Sequence, residues 1–440
     1  MQIVLGNRDH PEYGAATIPF PIPREEYDQC IKQLAVLEIG DAVRRDCQVL
    51  EVSGPWPALK RLEDSEVNLD ELDYLAKRLD SFDTMEIAQY QAMAEKLNLR
   101  GMTDLINLTF CSQQATVITD FSDLEAIGRE HYLNLKNCCA SVGELENLDG
   151  YETALLLIDS GAGTVTRYGV VYDNGMRLEQ LYDGKHLPDY HYEPDLLTVA
   201  LTSKQEPRNT EHVTWLYLPA AKGQIERAML RSGIQDPEDM RFRFEGSDFP
   251  AEINAALDFR QESIYELNDL AAAVEPLSPA EHQKLGAAVH LAQPECASQI
   301  RHLAENLDQF EFAPDVQTPA EYGRYMIQRS GHFSYDPNLE DVYDYERCGL
   351  ERMEQEYGMF TDSGYVSYQG TMSLEELMME ESAKHDYQRT AFPGGGAAAS
   401  GQQRGAVGRA AGGGAAALLP AHCLRKHAPR FRLLVQGARD

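Results

Sequence analysis

LDELDYLAKRL, residues 69–79, returns 195 positions later as IYELNDLAAAV, residues 264–274. At that offset Glu71, Leu72, Leu75 and Ala76 meet Glu266, Leu267, Leu270 and Ala271. The register holds on both sides: Pro55 meets Pro250, Glu86 meets Glu281, Ala92 meets Ala287, and Gly128-Arg129 meets Gly323-Arg324. Further on, Gly163, Thr166, Gly169 and Val171 meet Gly358, Thr361, Gly364 and Val366. One constant offset from Pro55 to Val171 predicts a tandem duplication of a single module of about 175 residues.

Each copy carries the same helix signals. Leu69, Leu72, Leu75, Ala76 and Leu79 are spaced by three and four, the apolar stripe of a helix, and Ile264, Leu267, Leu270, Ala271 and Val274 repeat it. Asp83 with Glu86, and Ser278-Pro279 with Glu281, open the next helix as capping boxes. A third helix is expected over 104–110 and 298–307, and a fourth from Ser122/Glu125 and Thr318/Glu321, together a four-helix subdomain. Before these helices comes a strand–helix–strand lobe: IPFPIP (18–23) extended, a helix over 24–37 and a strand over 47–53. Its counterpart has 215–219 extended, a helix around 225–230, and Met240, Phe242 and Phe244 alternating with charge. After them, 164–172 before Asn174-Gly175, and 360–368 before Gln369-Gly370, each predict a closing hairpin. The expected fold is α+β in two tandem repeats. A lead-in covers 1–14, repeat one 15–188, a linker 189–212, repeat two 213–388, and a low-complexity disordered tail 389–440.

Lys and Arg number 39 against 71 Asp and Glu, a net charge of −32. Seven of the basic residues and one acid lie beyond residue 390, so residues 1–390 hold 32 basic and 70 acidic side chains, net −38. That balance excludes DNA, RNA and anionic membranes as direct partners and favours a partner with a basic surface. The eight cysteines form no C-x-x-C pair and do not align between copies; reduced, buried thiols in a soluble, cytoplasmic protein are expected. No apolar run approaches the roughly 20 residues of a membrane span.

Chemistry is sparse. LLLIDSGAGT (155–164) has the look of a phosphate loop, and a second DSG at 362–364 suggests paired catalytic aspartates. At offset 195, however, Asp159 meets Glu354 and Asp362 meets Arg167, so the triplets are not equivalent, and the glycines are expected to end a helix and start the hairpin. His186, Asp189, His191 and Glu193 have chelating side chains but sit in the expected linker. There is no H-E-x-x-H, G-x-S-x-G or Walker loop. The expectation is no enzyme, no cofactor and no metal.

What remains is acid. Glu63, Asp64, Glu66, Asp70, Glu71 and Asp73 precede or share the first repeated helix, on the face opposite its apolar stripe, and Glu266 and Asp269 belong to its copy. DPNLEDVYDYERCGLERMEQE (336–356) adds Asp336, Glu340, Asp341, Asp344, Glu346, Glu351 and Glu354. Acids three or four apart on a helix lie about 5–6 Å from one another. At about one charge per 1.7 Å of duplex, a net charge of 38 matches about 65 Å of DNA. These acids are the expected partner-binding surface.

DLINLTF (104–110), ATVITDF (115–121) and LEAIGREHYLN (124–134), with LDELDYLAKRLDSFD and its copy, resemble the ArdA-like antirestriction proteins of Firmicutes mobile elements. GYVSYQGTMSLEELM (364–378) is similar to that family's closing segment, and the resemblance covers roughly residues 15–385. It implies an elongated protein of small α/β lobes, often a homodimer, that mimics bent DNA. It further implies occupancy of the DNA-binding groove of type I restriction–modification enzymes, through their methyltransferase core. The alternative is an acidic scaffold for another basic protein of a mobile genetic element.

Overall fold

The computed structural model describes residues 1–136, 139–204, 213–331 and 334–379. The chain divides into a unit 1–381 and a unit 382–440; the expected disordered tail and the Gln205–His212 stretch of the expected linker lie outside the described residues. The fold is α+β, with small antiparallel sheets between helices.

In chain order the first half comprises β1 (Gln2–Gly6), β2 (Ala15–Pro19), α1 (Arg24–Val36), β3 (Cys47–Ser53), β4 (Glu66–Val67), α2 (Leu69–Asp80), α3 (Thr84–Lys96) and α4 (Met102–Leu108). It continues with β5 (Thr116–Ile118), α5 (Leu124–Leu135), α6 (Val142–Glu146), α7 (Gly150–Asp159), β6 (Thr164–Thr166) and β7 (Gly169–Tyr172). The second half comprises β8 (Leu197–Ser203), β9 (Thr214–Leu218), α8 (Lys222–Arg231), β10 (Met240–Ser247), α9 (Ala251–Ala256), α10 (Ile264–Val274), α11 (Pro279–Ala292) and α12 (Ala297–Glu305). It ends with β11 (Phe310–Pro314), α13 (Pro319–Gln328), α14 (Tyr345–Glu356), β12 (Met359–Thr361), β13 (Gly364–Tyr368) and α15 (Leu374–Met379). The first residues of α2, α3, α4, α5, α7, β6 and β7 each recur 195 positions on, at the starts of α10, α11, α12, α13, α14, β12 and β13.

Local chemistry explains these starts. The Asn68 side chain accepts the Asp70 and Glu71 amides at the head of α2; Asp83/Glu86, Ser278/Glu281 and Thr318/Glu321 close full capping boxes on α3, α11 and α13. The cap of α5 is Asp123, one residue later than the expected Ser122, whose hydroxyl bonds to Asp120 instead. Leu69, Leu72, Leu75 and Leu79 are buried under the first lobe, each side chain gaining about 1.5–3 kcal/mol from burial.

Two expectations are corrected. Residues 1–14 are no mere lead-in and 189–212 no plain linker, because each contributes the central strand of a sheet. β1 lies between β2 and β3 in the order β2-β1-β3-β4, and β8 between β10 and β9. The four-helix subdomain is also divided differently. α2, α3 and α4 belong to the large core, whereas α5 packs on α7 over the closing sheet β5-β7-β6 around Ile118, Ile127, Ala154, Leu157 and Tyr172. α13 and α14 cover β11-β13-β12 in the same way around Tyr322, Met326 and Tyr365.

Glycine sets the spacing of those helix pairs. A Cβ on Gly128 would lie 1.8 Å from the Gly150 carbonyl oxygen, and one on Gly323 would lie 1.9 Å from that of Tyr345. Only hydrogen fits there. The hairpins turn at Arg167-Tyr168 and Asp362-Ser363, while Asn174-Gly175 follows β7 rather than joining two strands.

Candidate partner-binding surface

The acids of α2 do not face solvent together, which corrects the expected surface. Asp70 accepts hydrogen bonds from the Tyr27 hydroxyl at 2.8 Å and Arg227 Nε at 3.0 Å, with Arg231 Nη1 at 3.4 Å. Burial alone would raise its pKa, but the two guanidinium groups outweigh burial and hold it below the ordinary value. Glu71 is 2 % exposed and accepts from Arg45 Nε at 2.8 Å, Arg45 Nη2 at 2.6 Å and the Tyr182 hydroxyl. Asp73 is buried, accepting from Lys77 Nζ at 2.8 Å and the Ile22 amide at 2.7 Å. Asp70 and Glu71 are inside the molecule because cations and hydroxyls distant in sequence reach them; Asp73 is held by Lys77 one turn along α2 and by the distant Ile22 amide.

The neighbouring acids are mixed. Glu63 is half-buried and accepts the Val52 amide; Asp64 is exposed, in the left-handed region at φ +67; Glu66 is exposed and paired with Arg8 at 3.1 Å. On α10, Glu266 is half-buried with one carboxylate oxygen enclosed, and half-buried Asp269 lies 3.9 Å from Arg301.

The second acidic stretch behaves as an open array. Asp336, Glu340, Asp341, Asp344, Glu346, Glu351 and Glu354 are all exposed. Asp344 caps α14 by accepting the Arg347 amide, and Glu351 pairs with Arg347 at 2.8 Å. Glu356, at the end of the same stretch, is buried and accepts from the Tyr322 hydroxyl at 2.6 Å. In α7 the positions equivalent to Glu346, Glu351 and Glu354 are Tyr151, Leu156 and Asp159. Leu156 is 67 % exposed, so the corresponding face of the first half is partly apolar.

Asp159 is the exposed last residue of α7, and Asp362-Ser363 is a hairpin turn, so the two DSG triplets occupy unrelated settings. His186 bonds to Asp183 at 2.8 Å, and His191 bonds to Asp195 at 2.6 Å with Asp189 at 3.5 Å; Asp189 also accepts the Tyr217 hydroxyl. Among the described residues no group of three or more His, Cys, Asp or Glu is placed to hold a metal ion. Cys30, Cys47 and Cys111 are buried free thiols; Cys296 and Cys348 are half-buried, and Cys139 is exposed, against the expectation of uniform burial. Among the described residues no helix is long and apolar enough to cross a membrane.

The halves meet through charge. Arg24 pairs with Glu275 at 2.6 Å and donates to the Pro219 carbonyl, the Gly223 amide donates to Asp28, and Arg227 and Arg231 enter the first half to reach Asp70. Arg231 also donates to Asn68 Oδ1 at 2.9 Å and to the Lys185 carbonyl at 2.9 Å. Beside this network lies a cavity of about 190 Å³, lined by Tyr27, Tyr74, Tyr190, Trp215 and Tyr217 among others. The arginines were missed in the sequence because helical periodicity marks which side a residue faces, not which distant helix it meets.

No curated protein matches the chain. Residues 210–367, from just before β9 through β13, match the family model described as Antirestriction protein (ArdA). That segment contains α10 to α14 and the whole exposed array from Asp336 to Glu354, and over it the chain is similar to the ArdA family of antirestriction proteins.

Proposed function

We propose that the protein is an acidic DNA mimic that occupies the DNA-binding groove of type I restriction–modification enzymes, on their methyltransferase core. The observation that carries this is the coincidence of the ArdA match with seven exposed acids between Asp336 and Glu354. Carboxylates held in solvent on a folded frame offer a basic groove what phosphates offer it. Asp64 and Glu66, with half-buried Glu63, supply a second acidic point in the first half, while Asp70, Glu71 and Asp73 act as internal structure. The chain is read as two modules in tandem, the first beginning with β1 and the second with β8. No cofactor enters this function.

Binding by charge replacement is tested by titrating the full chain against a type I methyltransferase core, with duplex DNA as competitor and salt varied. Mutually exclusive binding that weakens steeply between about 50 and 200 mM salt is expected. Reversal of Glu340, Asp341 and Asp344 to Lys should weaken it most, and reversal of Glu63, Asp64 and Glu66 less. Binding that tolerates bound DNA, or survives both reversals, would turn the reading to an acidic scaffold for a different basic protein.

A further inference from the structure

The contacts between the halves pair equivalent positions. Arg24 meets Pro219 and Asp28 meets Gly223, and in each pair the partners are 195 residues apart. α1 packs on α8, its counterpart at the same offset. Contact of a residue with its own equivalent is the mark of an isologous interface about a twofold axis. The ion cluster on that interface, however, is present at only one of the two equivalent positions. Arg227 and Arg231 are 6 % and 7 % exposed and converge on Asp70. Their equivalents on α1 are Lys32 and Val36, both exposed, Val36 by 79 %; the equivalent of Asp70 is Tyr265.

We propose that this joint is built to pair one module of each kind and to reject like with like, an inference that rests on the two-module reading. The partner of the receptor formed by Gly40, Asp41, Asn68 and Asp70 is the α8 face with its two arginines, and no other face of the chain at equivalent positions can replace it. Pairing two first modules would set Lys32 and Val36 against Asp70, giving an enclosed carboxylate one flexible ammonium and an aliphatic side chain. Pairing two second modules would set Arg227 and Arg231 against Tyr265, burying two guanidinium groups with no carboxylate. A buried charge without its partner is strongly unfavourable, so each like pair carries a built-in penalty. The joint thus closes within one chain.

The test uses the full chain and no restriction enzyme, so its failure and failure of the antirestriction reading are distinguishable. In R227K/R231V, which gives α8 the residues of α1, amide exchange across Lys222–Arg231 should quicken at least tenfold and calorimetric unfolding should split into two transitions. K32R/V36R alone should leave both readouts as in the parent. The combined K32R/V36R/R227K/R231V chain frees Asp70 and supplies arginines from the α1 of another copy, so sedimentation should show a concentration-dependent association step that R227K/R231V lacks. Parent-like exchange in R227K/R231V would overturn the proposal, as would a combined variant that sediments like R227K/R231V. Should R227K/R231V fail to fold, Asp70→Asn gives the exchange test with an isosteric side chain, and unchanged protection there would overturn it equally.

Discussion

Helices α2 and α14 are both rich in acid, yet they use it in opposite ways. α2 buries Glu71 and Asp73 and encloses Asp70 against Arg45, Lys77, Arg227 and Arg231, so its carboxylates hold the fold together. α14 leaves Glu346, Glu351 and Glu354 in solvent, with Arg347 as the pair of one of them. Counting acids therefore measures charge but not where the charge is displayed. What separates the two helices is the supply of cations from elsewhere in the fold.

The comparison is broken most directly at Asp70. Asp70→Ala leaves two enclosed guanidinium groups without their carboxylate and should cost about 3–5 kcal/mol in urea unfolding; a loss under 1 kcal/mol would place Asp70 with the solvent-facing acids after all. The same group gives a pH signature. Its folded pKa is depressed below the ordinary 3.8, so its contribution is complete above about pH 4 and is lost as pH falls through the lower folded value. Asp70→Asn should flatten that part of the acid-unfolding curve, and an unaltered curve would count against the pairing.

Next comes the support of α14. Gly323→Ala forces a methyl group onto the Tyr345 carbonyl and should destabilise by about 1–3 kcal/mol, with exchange rising in α13 and α14 before α2. Smaller again is the effect on stability of Glu346, Glu351 and Glu354 reversed to Lys, within about 0.5 kcal/mol for each. On the proposed function this variant should nevertheless lose binding to the methyltransferase core and much of its salt dependence. Smallest of all, Arg347→Ala removes an exposed i,i+4 pair and should change stability by less than about 0.5 kcal/mol, checked by the urea midpoint.

Much of the fold was legible. The stripe Leu69–Leu79, the boxes at Asp83, Ser278 and Thr318, and the strand Cys47–Ser53 lie where periodicity and capping place them, because those signals are local. β1 and β8 escaped because a short strand buried in mid-sheet, such as QIVLG, has no turn-bounded alternation to announce it. The hairpin turns escaped because Arg167-Tyr168 and Asp362-Ser363 lack the Asn-Gly signature that stands just after β7. In the acidic stretch, Asp336, Glu340, Asp341, Asp344, Glu346, Glu351 and Glu354 lie exposed. The face of α2 was misjudged, since Arg227 and Arg231 lie about 160 positions from Asp70 and nothing local points to them.

The place of β8 has one more consequence, for the physics of the tether. Tyr190 and Tyr192 donate their hydroxyls to the Lys77 carbonyl and to Asp80 of the first half, while the Leu196 amide already bonds to the Leu218 carbonyl, so only residues 193–195 bridge the two. The four steps from Tyr192 to Leu196 span at most about 14 Å even fully extended. If thermal motion parts α1 from α8, neither half can diffuse beyond that leash, and each sees the other at an effective concentration in the millimolar range. The contact between them then need only be weak by the standard of a free complex to stay closed nearly all the time.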